Sequence, residues 1–189
     1  MRPRRVATTL AAVAATLALS LASAADQLSA HRPGIGFTAT TPGDVRALAS
    51  DAWARFLDAF PARWGCLPDV TVRGAWHLRD RGDYDPDRRL VTVRIPGTAP
   101  NLRATLTHEF AHHLDFTCPA AARLRARFLA AQGLPRGQPW FRGRTWADTP
   151  SEQFAEATVR VILGRRPGHE VVAVRPAAVT AIRGWGAGR

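Results

Sequence analysis

Residues 108–115, with the sequence HEFAHHLD, constrain the chain most, because their side chains can act together only on a helix. His108 and His112 are four residues apart, so one helical turn places both imidazoles on the same face. On that face they can converge on a single metal ion. Glu109 is turned about 100° away and lies beside such an ion instead of on it. The segment therefore predicts one continuous helix with its metal-binding chemistry on one side.

The pattern HExxH on a helix is typical of hydrolytic zinc sites. Zinc takes the two imidazole nitrogens and keeps a position open for water, and the carboxylate is placed to remove a proton from that water. We therefore interpret His108 and His112 as zinc ligands and Glu109 as the general base. His113 points to the apolar side of the same helix and is interpreted as a packing residue.

A catalytic zinc site needs a third protein ligand, and a downstream segment offers two glutamates. Glu152 and Glu156 are four residues apart on one face of a helix predicted over residues 150–162. We expect Glu152 to be the third ligand, although it also stands where a capping-box Glu belongs after Thr149. The alternative, in which Glu156 is the ligand, stays open from the sequence.

Asp115 is a candidate to support a ligand histidine. It follows His112 by three residues and His108 by seven, which places it one turn further along the ligand face. There its carboxylate can accept a hydrogen bond from the second ring nitrogen of a ligand histidine. The alternative is a solvated Asp at the helix end, which the helix dipole disfavours.

Two segments, residues 108–115 and residues 151–157 (SEQFAEA), resemble the gluzincin zinc metallopeptidases, most closely those of the lethal-factor-like type. The resemblance implies a zincin-like fold with the ligands and the base named above and with Glu152 as the third zinc ligand. It also implies that Glu156 and Asp115 lie directly behind the ligands.

One feature of that family has no counterpart here. The lethal-factor-like type places a Tyr a few residues before the third ligand, where it stabilises the oxyanion, but the only Tyr of this chain is Tyr84. We expect an arginine (Arg142 or Arg144), His169 or a tryptophan N–H to take its place.

Residues 1–24 predict a secretory signal peptide. Three arginines precede an uncharged, largely apolar run, which ends in the small-residue site Ala22-Ser23-Ala24. An uncleaved membrane anchor is the alternative. We expect residues 25–189 to be a secreted, extracellular, single zincin-like metallopeptidase domain, since their length suits one core and no later segment is apolar enough to cross a membrane.

Every basic residue of the chain is an arginine, and without the three in the leader the formal net charge is 26 − 3 − 15 = +8. Such an excess favours contact with an anionic surface such as a cell envelope. The arginines are scattered and form no known nucleic-acid motif, so we expect no nucleic-acid partner. We expect the mature protein to be a monomer.

Cys66 and Cys118 are the only cysteines, and an exported chain with two cysteines usually pairs them. In the chain-entropy model, a disulfide that closes a loop of about 50 residues stabilises the fold by about 4 kcal/mol.

The remaining pattern predicts an α+β fold, with a small sheet, a central active-site helix and a helical C-terminal part. We expect strands at 70–75 and 90–95, and helices at 44–60, from 101 onward, at 119–132, at 150–162 and at 176–185. The strand at 90–95 leads into the HExxH helix, and we expect it to be the edge strand that pairs with substrate. The acidic segment 80–87 is interpreted as a solvated turn, with a calcium site as the alternative.

Taken together, these patterns predict a secreted zinc-dependent endopeptidase that acts on protein or peptide substrates. Glu109 would assist the attack of zinc-bound water on the peptide carbonyl. The alternative is a non-catalytic secreted protein that contains zinc and binds an anionic cell envelope.

Overall fold

The computed structural model of the protein describes residues 31–168 and 172–189. The predicted signal peptide lies outside the described residues. The chain divides into the units Met1–His31 and Arg32–Arg189, and the fold presented below is that of the second unit.

A mixed sheet in this unit consists of four short strands: β1 (Ile35–Phe37), β2 (Val70–Ala75), β3 (Gly82–Asp85) and β4 (Leu90–Arg94). Their order in the sheet is β1-β2-β4-β3. Strands β1, β2 and β4 run parallel to one another, and β3 is antiparallel to β4. Alternating valines of β2 and β4 are buried against the helices, as expected for strands with one face in the core.

The prediction that the strand at 90–95 lies at the sheet edge is wrong. β4 lies between β2 and β3, and the edge is formed by β3, within the segment that we interpreted as a solvated turn. In β3 the side chain of Tyr84 packs inward and that of Asp83 is exposed. Charged side chains are tolerated at a sheet edge, which is why an acidic segment can form a strand there.

The helices begin and end within two residues of the predicted positions. Three of them carry a proline in their first turn, where the missing N–H has no partner to lose. A 3₁₀ helix (Pro61–Cys66) follows the first α-helix. The α-helices are α1 (Gly43–Ala59), α2 (Ala99–Thr117), α3 (Ala121–Gln132), α4 (Pro150–Leu163) and α5 (Pro176–Gly186).

Helix α2 is the centre of the unit, and every residue from 104 to 115 is buried. It packs against α1, α4, β3 and β4. On the α1 side, the ring of Phe110 lies 4.8 Å from that of Trp53 and 5.8 Å from that of Phe56, measured between centroids. These contacts confirm the α+β class and the central position of the HExxH helix.

The predicted disulfide is confirmed, with the Cα atoms of Cys66 and Cys118 4.9 Å apart. Cys118 directly follows α2, so the bridge ties the end of this helix to the 3₁₀ helix after α1. No helix among residues 31–168 and 172–189 is long and apolar enough to span a membrane.

Candidate metal centre

Three side chains converge where α2 meets α4. The Nε2 atoms of His108 and His112 lie 3.1 Å apart, and Oε2 of Glu152 lies 3.0 Å from the first and 3.3 Å from the second. Both histidines are buried, and Glu152 is partly buried. These three residues form a group that can hold a metal ion.

The distances fit a tetrahedral ion. Nitrogen and oxygen ligands at about 2.0 to 2.1 Å from a tetrahedral zinc lie roughly 3.3 to 3.4 Å from one another. The three observed distances, 3.0 to 3.3 Å, come close to that spacing. Three protein ligands leave the fourth position to solvent or substrate.

The charge of Glu152 suits a ligand. Burial alone would raise its pKa, but hydrogen bonds and positive charge from His108 and His112 outweigh that effect and hold the pKa well below its usual range. The carboxylate is therefore ionised, as a metal ligand must be.

Glu156 lies behind His108 instead of beside the converging atoms. Its Oε1 lies 2.8 Å from Nδ1 of His108, and the guanidinium of Arg166 forms an ion pair with the same oxygen. When Nδ1–H donates to a carboxylate, the lone pair of Nε2 stays free to bind metal. The geometry favours Glu152 as the ligand and Glu156 as the group that orients His108.

Asp115 makes different contacts from those predicted. Its Oδ1 accepts a hydrogen bond of 3.0 Å from Nε of Arg125, and its Oδ2 accepts one of 2.6 Å from Nε1 of Trp140. The expected hydrogen bond from a ligand histidine is replaced by these two, because the end of α2 faces α3 and the loop after it. Asp115 anchors that loop.

Glu109 lies against the edge strand. A Cβ atom built on Gly82 would come within 2.5 Å of Oε1 of Glu109 and within 2.6 Å of Cγ2 of Thr105, so β3 leaves room for the carboxylate only with glycine at this position. Burial raises the pKa of Glu109, partly opposed by the positive charge of the two histidines. A buried carboxylate of this kind accepts a proton more readily than an exposed one.

His108, His112, Glu152 and Glu109 line a cleft with a volume of about 720 Å³. One wall is the edge strand β3, and the other is aromatic. Phe116 and Phe141 stack with their centroids 5.0 Å apart, and Trp146 stacks on His108 at 5.7 Å. All three of these wall residues are exposed, which leaves an apolar surface open to solvent beside the converging ligand atoms.

The predicted substitutes for the missing Tyr fall in different places. Arg142 and Arg144 are exposed and lie outside the cleft lining, and His169 lies outside the described residues. Arg166 lines the cleft instead, with its side chain only 11% exposed. Its position just before Pro167-Gly168 gave no sequence signal for this role.

The remaining histidine of the motif and the only tyrosine bind each other on the core side. Nε2 of His113 lies 3.0 Å from the carbonyl oxygen of Pro68, so this nitrogen donates, and Nδ1 accepts from the hydroxyl of Tyr84 at 2.8 Å. Burial lowers the pKa of His113 to about 4, so it is neutral at pH 7. His113 is a packing residue, as predicted, and it occupies the Tyr84 hydroxyl.

Comparison with protein-family profiles, curated proteins and solved structures gives no match. The interpretation of the cleft therefore depends on its own geometry and chemistry.

Proposed function

We propose that the protein is a zincin-like, zinc-dependent peptidase. The observation that carries the proposal is the convergence of two imidazole nitrogens and one carboxylate oxygen, all within 3.3 Å, in a cleft that also holds Glu109. Imidazole with carboxylate is a donor set that zinc accepts, and three protein ligands are typical of catalytic zinc sites, whereas structural sites usually have four.

Zinc bound by His108, His112 and Glu152 would lower the pKa of a coordinated water and polarise the carbonyl of the scissile peptide. Glu109 acts as the general base. Its carboxylate takes a proton from the attacking water and passes it to the leaving amine. Gly82 keeps this carboxylate against the strand that borders the cleft.

Arg166 is the residue that best replaces the missing tyrosine hydroxyl. It is cationic, it lines the same cleft as Glu109, and its ion pair with Glu156 holds one side of its guanidinium. A fixed N–H donor beside the reacting carbonyl stabilises the negative charge that develops on the oxygen. Glu156 thus contacts both the ligand His108 and this cation.

The edge strand and the aromatic wall suit an extended peptide. Among residues 31–168 and 172–189, β3 has a hydrogen-bonded neighbour on one side only, so its other edge can pair with the backbone of a substrate. Phe116, Phe141 and Trp146 offer apolar contact to substrate side chains. We therefore propose a protein or peptide substrate that binds as an added strand.

The disulfide fits an oxidising compartment and supports the proposed secretion.

A peptide-library digest tests the proposal. Protein comprising residues 25–189 is loaded with zinc and incubated with the library, and new termini are identified by mass spectrometry. We expect cleavage that a chelator abolishes and added zinc restores. Stoichiometric zinc without any cleavage would contradict the proposal and favour the non-catalytic alternative.

A further inference from the structure

A second cavity, of about 210 Å³, lies between the 3₁₀ helix, the start of α3 and the end of α5. None of its residues belongs to the metal-site cleft. Four arginines stand among seven lining residues, and no carboxylate side chain is among them. The cavity is lined by Arg63, Ala120, Arg123, Leu124, Arg127, Trp185 and Arg189.

Arg63 is held rigidly in this cavity. Its Nε and Nη2 donate to the carbonyl oxygen of Trp185 at 3.1 and 2.6 Å, and its guanidinium lies 4.3 Å from the centroid of the Trp185 ring. These bonds satisfy a carbonyl in the last turn of α5. They also fix the direction in which the remaining N–H groups point.

Arg123 and Arg127 lie one turn apart on the same side of α3 and are both exposed. Like charges at this spacing destabilise a helix. Arg125, between them in sequence, forms an ion pair with Asp115, but no carboxylate among residues 31–168 and 172–189 forms an ion pair with Arg123 or Arg127. The cavity therefore concentrates positive charge that this part of the chain does not neutralise.

The pKa of Arg63 reflects the positive charge in this cavity. Burial lowers it, and the positive charge of Arg123 lowers it further. A bound anion would relieve both the repulsion and the lost hydration.

We propose that this cavity binds the phosphate group of an anionic ligand through Arg63, Arg123 and Arg127. The planar guanidinium fork matches the spacing of phosphate oxygens, and three such forks around one cavity favour a tetrahedral oxyanion. The cavity volume is that of about seven water molecules in the liquid, enough for a phosphate group with some of its hydration. The phosphate can come from a soluble phosphate ester or from the headgroup of an anionic surface.

Calorimetric titration with inorganic phosphate at constant ionic strength tests the site. A chelator is present throughout, so that metal in the other cleft contributes nothing. The test variant is Arg123→Gln/Arg127→Gln, which spares the contacts of Arg63 with α5. The matched control, Arg79→Gln/Arg136→Gln, removes two exposed arginines that do not line the cavity.

We expect saturable binding to the wild type, at least about tenfold weaker binding to the test variant and no change in the control, because two charge-assisted contacts are lost. Absence of binding to the wild type, equal binding to the test variant, or equal weakening in the control would overturn the proposal. Equal weakening in the control would show that phosphate binding depends only on the net charge of the protein.

Co-sedimentation with vesicles distinguishes the two sources of phosphate. Phosphatidylglycerol vesicles are compared with phosphatidylcholine vesicles for the wild type and both double variants. Selective loss of phosphatidylglycerol binding in the test variant assigns the site to an anionic surface. Phosphate binding without vesicle binding assigns it to a soluble phosphate ester. Both results support the site. Equal loss of vesicle binding in the two double variants contradicts binding of an anionic surface through this cavity.

Discussion

His112 and His113 are neighbours in the sequence and both are buried, but their side chains project from α2 about 100° apart and meet different partners. Both ring nitrogens of His113 have partners that settle their roles, the hydroxyl of Tyr84 and the carbonyl of Pro68. Nε2 of His112 instead faces two other atoms that can bind a metal, Nε2 of His108 and Oε2 of Glu152, at 3.1 and 3.3 Å.

The two residues differ in the feature that distinguishes a packing histidine from a metal ligand. Burial alone does not distinguish them, because His113 is 0% exposed and His112 only 9%. Their hydrogen-bond partners do distinguish them. A histidine that donates from one ring nitrogen and accepts at the other has no lone pair left for a metal, whereas converging lone pairs of several side chains can bind a cation. The core side of α2 holds the helix in the fold, and the cleft side holds the three residues that can bind a metal.

The largest effect should separate these two histidines. His112→Ala is expected to abolish zinc binding and peptidase activity, because two ligands do not retain catalytic zinc. His113→Ala is expected to keep one zinc per chain and to lower the free energy of unfolding by about 2 to 4 kcal/mol, because a cavity forms and two partners lose their hydrogen bonds. Metal analysis and denaturant unfolding in the presence of a chelator measure both. Loss of zinc from folded His113→Ala would contradict the assignment of His113 as a packing residue.

The second-largest difference is expected between the two glutamates of α4, in their effect on zinc affinity. Glu152→Ala is expected to abolish bound zinc, whereas Glu156→Ala should weaken zinc binding by about 10 to 100-fold, the usual cost of removing a group that orients a ligand. Titration with a zinc-sensitive dye measures the affinities. The reverse ranking would exchange their roles.

The edge strand provides a smaller and more local effect. Gly82→Ala should leave zinc bound but reduce kcat/KM by about 100-fold, because the added methyl group displaces the carboxylate of Glu109. Gly36→Ala, in β1, is the matched control, since its added Cβ would meet only ordinary contacts, the nearest at 3.7 Å. Similar losses in both variants would point to general damage to the sheet.

Asp115 should have the smallest effect on the metal. Asp115→Asn is expected to lower the free energy of unfolding by about 1 to 3 kcal/mol, because it weakens the bonds to Arg125 and Trp140. Zinc affinity should stay within about threefold of the wild type, since the Asp115 carboxylate hydrogen-bonds Arg125 and Trp140 instead of a ligand histidine. A tenfold loss of zinc affinity would restore the role that the sequence suggested.

Much of the fold follows from local patterns. Apolar periodicity and prolines near the helix starts located the helices to within two residues, and the cysteine count predicted the disulfide. The HExxH spacing brought His108 and His112 together, because one helix holds both and no tertiary information is needed.

The errors arose where partners come from distant segments. β3 was missed because an edge strand needs no apolar run, and only its pairing with β4 shows that it is a strand. The spacing placed Asp115 near the ligand face, but it could not show that Arg125 and Trp140 bind it. Arg166 reaches the cleft from beyond α4, which no periodicity predicts.

The most direct test of the central claim is the rate of peptide hydrolysis by zinc-loaded Glu109→Gln beside the wild type. The account predicts one zinc per chain in both proteins and a rate lower by about 10² to 10⁴-fold in the variant, because the amide cannot accept the proton. Hydrolysis at the wild-type rate by the zinc-loaded variant would contradict it.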